Sequence, residues 1–92
     1  MNFKNFKLVK VIWKDAQTIL GRNCSLKEIQ KLELAKAHTI GYLIHEDKEK
    51  IAICGHYFEK SEEGEFEEEF RDTHFILKSC VCEIIELKEI KR

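Results

Sequence analysis

Proline is absent from this chain and glycine occurs only four times, so its boundaries are marked by glycine, charge and periodicity alone. No apolar run approaches the ~20 residues that a membrane-spanning helix needs. The opening residues MNFKNFKLVK lack the apolar core and small-residue cleavage site of a secretory signal. The expectation is a cytoplasmic protein with no membrane partner, in which Cys24, Cys54, Cys80 and Cys82 are free thiols. Neither C-x-x-C nor H-x-x-x-H occurs, although zinc sites draw their donors from such close pairs to reach ~2.0–2.3 Å. No metal and no cofactor are therefore expected. A catalytic set is also missing: Cys24 precedes a helix start without a histidine fixed near it, His45, His56 and His74 read as hydrogen-bonded strand residues, and the glutamates crowd into one loop. The chain reads as a non-enzyme.

What the sequence has is charge, unevenly spread, and a short list of β-forming runs. Net charge is −1, but residues 1–46 carry eight Lys/Arg against four Asp/Glu and residues 47–92 carry eight against thirteen. An anion-binding surface belongs in the first half. Ninety-two residues, 43% of them hydrophobic, support one core and one domain.

Residues 38–58 organise the rest. HTIGYLIHE, the charged turn Asp47-Lys48-Glu49-Lys50 and IAICGHYF form a hairpin pattern. Closing the turn with Glu46 opposite Ile51 puts Gly41 opposite His56 and Gly55 opposite Tyr42, and paired glycines within strands predict a sharp bend or a close backbone approach. Before it, residues 3–13 read as a strand with Val9, Val11 and Trp13 on one face and Leu8, Lys10, Ile12 and Lys14 on the other. Those lysines suit an exposed edge. Residues 17–24 form a loop centred on Gly21-Arg22-Asn23. Ser25-Leu26-Lys27-Glu28 is a capping box, and Leu26, Ile29, Leu32 and Ala35 recur at helical spacing, which predicts an amphipathic helix over 26–36.

Beyond Phe58, residues 59–69 hold seven glutamates and one lysine and read as a solvated loop with Gly64 at its tip, or as a hairpin extension. Strands follow at 70–77 and 80–87, separated by a tight corner at Lys78-Ser79, with Cys80, Cys82 and Ile84 on one face as small hydrophobes. A charged tail occupies 88–92. The fold class is α+β, mainly β: a small bent antiparallel barrel of SH3 or Sm type with about five strands and one helix between the first two, with an OB-like barrel as the alternative.

Anion binding is the chemistry with most support. The helix start at Ser25, Arg22 just before it, and Lys14 at the end of the first strand can meet phosphate oxygens, while Trp13 and Tyr42 offer π faces for a base. The competing reading puts Trp13 in the core or on its rim and buries the Tyr42 ring.

The blocks Val11-Ile12-Trp13-Lys14-Asp15-Ala16, Thr39-Ile40-Gly41-Tyr42-Leu43-Ile44-His45-Glu46-Asp47 and Phe75-Ile76-Leu77-Lys78-Ser79-Cys80-Val81-Cys82-Glu83-Ile84 resemble a widespread family of small phage-encoded proteins. The pattern is V-x-W-x-D-A, T-V-G-Y-L-x-x-E-D and I-P-K-S/G-C-x-V-E-I. Leu77 stands where that family favours proline, and the acidic excursion departs from it too. Some small phage proteins of this size sequester cyclic nucleotide signals of bacterial anti-phage defence as dimers. The resemblance implies a nucleotide sponge in the cytoplasm of an infected host, and it adds Asp15, Thr39 and Lys78 to the candidate ligand residues. The expected partners are a nucleotide second messenger and a second copy of the chain. An Sm-like RNA-binding barrel is opposed by a pI near 6.4, which is poor for tracking phosphates. An acidic module that inhibits a host protein is the third reading.

Overall fold

A computed structural model describes residues 6–64, 67–88 and 90. Five antiparallel strands, β1 (Lys7–Asp15), β2 (Ala35–Glu46), β3 (Lys50–Phe58), β4 (Glu69–Leu77) and β5 (Val81–Glu86), lie in the order β4-β3-β2-β1-β5. One helix, α1 (Leu26–Lys31), interrupts the β1–β2 connection, and a 3₁₀ turn (Lys78–Cys80) joins β4 to β5. None of the helices among the described residues is long and apolar enough to cross a membrane. The mainly antiparallel sheet with one helix between β1 and β2 follows the sequence pattern. No ladder joins β4 to β5, so the sheet is open and not a closed barrel.

It is nonetheless strongly curled. Val9 and Val11 of β1 cluster with Ile51 and Ile53 of β3 and Ile76 of β4, all almost fully buried. In a flat sheet β1 and β4 would stand three strand spacings, ~14 Å, apart. The two edge strands would be ~19 Å apart, yet the 3₁₀ turn that joins them advances only ~2 Å per residue. Curling is therefore obligatory. Trp13, Leu43 and Val81 pack against the concave cluster, and each fully buried aliphatic there contributes ~1.5–3 kcal/mol.

The bend has a local cause. Glu46 does face Ile51, but a bulge between Leu43 and His45 shifts the register by one, so that Tyr42 faces Cys54. The expected pairs of Gly41 with His56 and Gly55 with Tyr42 are thereby displaced. Gly41 instead meets backbone: a Cβ there would lie 2.4 Å from the Cys54 carbonyl oxygen and 2.7 Å from Ile53 Cγ2. Past Cys54, β3 leaves β2 and continues with β4 alone to Phe58 and Glu69, which makes the acidic region the end of a two-stranded ribbon. Asp72 on that ribbon has φ +58°, a left-handed conformation that side chains seldom adopt.

Other expectations are corrected. The helix stops at Lys31, not at residue 36; the Leu32 N–H still bonds the Glu28 carbonyl, but Leu32 is already extended. Continuing would have cost the ladder bonds in which Ala35, Lys36 and Ala37 face Asp15, Lys14 and Trp13, and six helical residues hold little intrinsic stability to compete. None of its residues is buried. β1 pairs on both sides and is not an edge, so Lys10 and Lys14 protect none. It runs through Asp15; residues 3–5 of the expected strand lie outside the described residues. Cys54 is buried as expected, but Cys80 sits in the 3₁₀ turn, and Cys82 and Ile84 are exposed because they alternate with Val81, which faces the core, and so lie on the opposite face of β5. All four thiols are free. Residues 89, 91 and 92 of the charged tail, and residues 65 and 66 of the acidic stretch, also fall outside the described residues.

The β2–β3 turn is closed by one carboxylate. Asp47 Oδ1 accepts from the backbone N–H groups of Glu49 (2.8 Å) and Lys50 (2.9 Å), while Oδ2 meets Lys50 Nζ and His45 Nε2, each at 2.8 Å. The Lys50 ammonium, then His45 and the two N–H donors, hold the Asp47 carboxyl far below the usual range, and the Asp47 carboxylate in turn pushes the Lys50 ammonium up. A depressed carboxylate stabilises the fold above its ordinary value of 3.8 and loses that contribution as pH falls. The Asp47→Asn protein, which keeps the acceptor for both N–H groups and loses the charge, should melt below the parent at neutral pH. Melting curves at descending pH should converge progressively below 3.8.

Candidate functional site

Two side-chain clusters occupy different ends of β1. At its C-terminal end the Trp13 indole is half-buried against the core, and its Nε1–H donates to Thr39 Oγ1 at 3.0 Å. Trp13 faces Ala37, and Thr39 faces Val11 on the neighbouring strand, so the hydrogen bond runs diagonally between strands and fixes the ring at the core's rim. Lys14 and Asp15 follow and are exposed. The chain then enters the 16–25 loop, and at its far end the Arg22 guanidinium bonds Glu28 Oε2 (3.0 Å) and the Asn23 carbonyl (3.3 Å). Ser25 Oγ accepts from the Glu28 N–H at 3.2 Å, which is half of the expected capping box; Glu28 spends its carboxylate on Arg22 instead.

The second cluster is aromatic. Phe6 meets Tyr57 edge-on with centroids 5.2 Å apart and Phe70 at 5.7 Å; Tyr57 stacks on Phe70 at 5.5 Å, and Tyr42 lies 6.4 Å from Tyr57. Beside it a shallow groove of about 500 Å³ is lined by Tyr57, Phe58, Glu59, Glu67 and Glu69, and the Arg71 guanidinium lies 5.6 Å over the Phe58 ring. The Tyr57 hydroxyl donates to Glu68 Oε2 at 2.7 Å.

The candidate ligand residues are thus partly gathered. Trp13 and Thr39 touch, Lys14 and Asp15 adjoin them in sequence, and Arg22 and Ser25 share the helix start. Tyr42 is separated: it faces Leu8, five residues from Trp13 and ~16 Å along the strand, so one chain does not sandwich a base between the two rings. Lys78 is at the 3₁₀ corner, bonded to Glu46 at 3.0 Å. His45 and His56 point to separate carboxylates, Asp47 and Asp72 (2.8 and 2.9 Å), and do not converge. Among the described residues no group of three or more His, Cys, Asp or Glu side chains is placed to hold a metal.

Sequence reasoning missed the aromatic cluster. Its signal was present in Tyr57-Phe58 and Phe70, which bracket the glutamate run, but the run's charge drew the reading toward a solvated loop. Glu68 pushes the Tyr57 phenol up to about 12, chiefly by accepting its proton in a hydrogen bond. Because the folded state holds that proton more tightly, the interaction stabilises the fold fully below the ordinary value of 10.0 and is lost as pH rises through about 12. An ultraviolet titration of tyrosinate should show one of the two tyrosines ionising near 12, and Glu68→Gln should return it toward 10.0.

Comparison of the chain with family models, curated proteins and solved structures gives no match in any of the three.

Proposed function

We propose that this protein is a non-enzymatic binding protein that sequesters a nucleotide second messenger, a cyclic dinucleotide or a cyclised ADP-ribose, as the phage-type sponges it resembles in three blocks do. The observation that carries this reading is the Trp13 indole, held half-buried at the core's rim by the Thr39 hydroxyl. A ring fixed in this way loses little freedom on stacking, and base stacking is worth ~1–3 kcal/mol. Lys14 and Arg22, on and beyond the strand end, supply cations for the phosphates, and Asp15 supplies an acceptor for ribose hydroxyls. No bond needs to be broken, and the work is done in the host cytoplasm. The curled five-stranded sheet, with its edge strands joined by a 3₁₀ turn, is the open form of a small SH3- or Sm-type barrel in this reading.

Arg22 already bonds Glu28, so an incoming phosphate has to compete with that carboxylate. A thermal-shift screen against cyclic nucleotides should find a stabilising ligand. Arg22→Ala should then weaken it by about 1.5–3 kcal/mol, the range of a charge-assisted hydrogen bond, with the melting temperature almost unchanged because the side chain is exposed. Glu28→Gln, which releases Arg22, should strengthen it. No shift with any cyclic nucleotide would overturn the proposal.

The groove of Tyr57, Phe58, Glu59, Glu67 and Glu69 favours a second reading, an acidic interaction module for a basic host protein. Aromatic faces ringed by carboxylates suit lysine and arginine side chains. Binding of a cationic peptide that Glu67→Lys abolishes, with no nucleotide effect, would favour it over sequestration. RNA remains the weakest ligand on charge.

A further inference from the structure

The radius of gyration is 17.9 Å over extents of 61 × 29 × 26 Å, whereas a compact chain of this length has about 12 Å. Its accessible surface is 8114 Å², against about 5,600 Å² for a folded monomer of this mass. The excess exceeds the ~800 Å² per partner that a stable dimer buries. Part of it is apolar, and several of the exposed apolar side chains fall in one stretch of the chain. Residues 16–34, between β1 and β2, expose Leu20 (84%), Leu26 (68%), Ile29 (55%), Leu32 and Leu34. Exposed apolar side chains concentrated in one segment suit an association surface.

The same end of the molecule carries an open strand edge. β3 pairs with β2 only from Tyr42 to Glu46 and still covers Gly41, which is buried against the Cys54 backbone, so residues 35–40 of β2 have β1 on one side and no paired strand on the other among the described residues. Unpaired N–H and C=O groups in a row are a template for another strand. The sheet's two outer strands are guarded: β4 carries Glu69, Arg71 and the left-handed Asp72, and β5 carries Glu83 and Glu86, while residues 55–58 of β3 face the same opening from the other side. The 35–40 edge, AKAHTI, carries Lys36 as its one Lys, Arg, Asp or Glu.

We propose that two copies of the chain join along this edge, residues 36–40 of one antiparallel to the same residues of the other, about a two-fold axis at His38. A segment paired antiparallel with itself satisfies an isologous interface without any second surface. This register sets His38 against His38, Ala37 against Thr39 and Lys36 against Ile40. Each apolar arm, which returns to the sheet at Ala35, then lies beside its partner's Gly41 and Tyr42, where β3 diverges from β2. A foreign peptide on the edge would leave the arm uncovered; a second copy brings strand and arm together. This interface needs no ligand and stands apart from the nucleotide reading.

Cysteine cross-linking tests it in a protein whose Cys24, Cys80 and Cys82 are replaced by serine. Directly opposed antiparallel residues have Cα atoms ~4.5–5.5 Å apart, within disulfide reach. The two Lys36 positions are four residues apart in this register, ~13 Å, and out of reach. The expected result is a dimer by light scattering, with H38C linking on air oxidation and K36C failing to link. Ile40→Lys, which puts a charge on the exposed edge, should raise the dissociation constant at least tenfold while leaving the circular dichroism unchanged. A monomer at micromolar concentration, a dimer in which H38C does not link, or equal linking by K36C would each overturn the proposal.

Discussion

Replacing Gly41 by alanine should lower stability by about 3 kcal/mol, at the upper end of what overpacking costs, and should leave the Gly55→Ala protein as the stable control. The added Cβ at residue 41 would stand 2.4 Å from the Cys54 carbonyl oxygen and 2.7 Å from Ile53 Cγ2. The first is backbone in the β2–β3 ladder and cannot rotate away. The second belongs to a core side chain that is 1% exposed. Relief therefore requires the two strands to part at the place where the sheet bends. Marginal domains hold only ~0.05–0.15 kcal/mol per residue, so the loss is a large share of the total, and at ~4–8 °C per kcal/mol the melting temperature should fall by at least ten degrees. At Gly55 the nearest atom is Asp72 Cβ at 3.5 Å, an ordinary contact. Alanine there should cost nothing and could gain ~0.5–1 kcal/mol by restricting the unfolded chain. Denaturant melts of the pair decide it: equal stability of the two variants would mean that Gly41 has no close neighbour.

The two glycines also show how far the sequence speaks for the fold. Their presence within a β-branched hairpin announced a bend, and the bend is there. Their pairing was out of reach, because a single extra residue at Ile44 shifts every later partner by one, and nothing in LIHE distinguishes a bulge from regular alternation. The helix failed in length for a related reason: Leu32 and Ala35 keep the helical period, but Ala35 lies opposite Asp15, and competition with a ladder is settled by tertiary pairing that no local pattern encodes. Strand order was equally hidden. Lysines at alternate positions of β1 matched an edge strand until β5 paired on its open side, a contact some seventy residues away in the chain.

The site was legible in its parts and not in their distances. W-x-D-A and T-x-G-Y are far apart in sequence, yet the structure bonds Trp13 to Thr39 directly. Tyr42, which looked like a second stacking face, is at the other end of the strand with Phe6, Tyr57 and Phe70. Arg22 looked free because its partner, Glu28, had been given to the capping box. A two-fold pairing along residues 36–40 would place both Trp13 and Thr39 near the interface, since Thr39 lies on the paired edge itself. One chain's rim would then be bordered by its partner.

The Trp13 position should separate scaffold from site more sharply than any other. Trp13→Ala removes a ring packed against the buried cluster; since the indole is only partly buried, the expected loss is about 2–3 kcal/mol, below the ~3–5 kcal/mol of a fully buried aromatic. It should also remove the stacking contribution, weakening the nucleotide by ~1–3 kcal/mol. Trp13→Phe keeps most of the packing and a π face but loses the N–H that Thr39 accepts. Thr39→Val makes the complementary change, leaving the indole N–H without its partner at a cost of ~0.5–1.5 kcal/mol. If the indole is the platform, affinity should fall in the order parent, Thr39→Val, Trp13→Phe, Trp13→Ala, because the first change only loosens the ring's orientation and the last deletes it. Stability should fall in a different order, with Trp13→Phe and Thr39→Val close together and Trp13→Ala well below both. Calorimetric titration of the three variants with the ligand found in the thermal-shift screen, beside their denaturant melts, tests both orders at once. Parental affinity in a folded Trp13→Ala protein would confine this tryptophan to the core's rim and move the binding site elsewhere on the sheet.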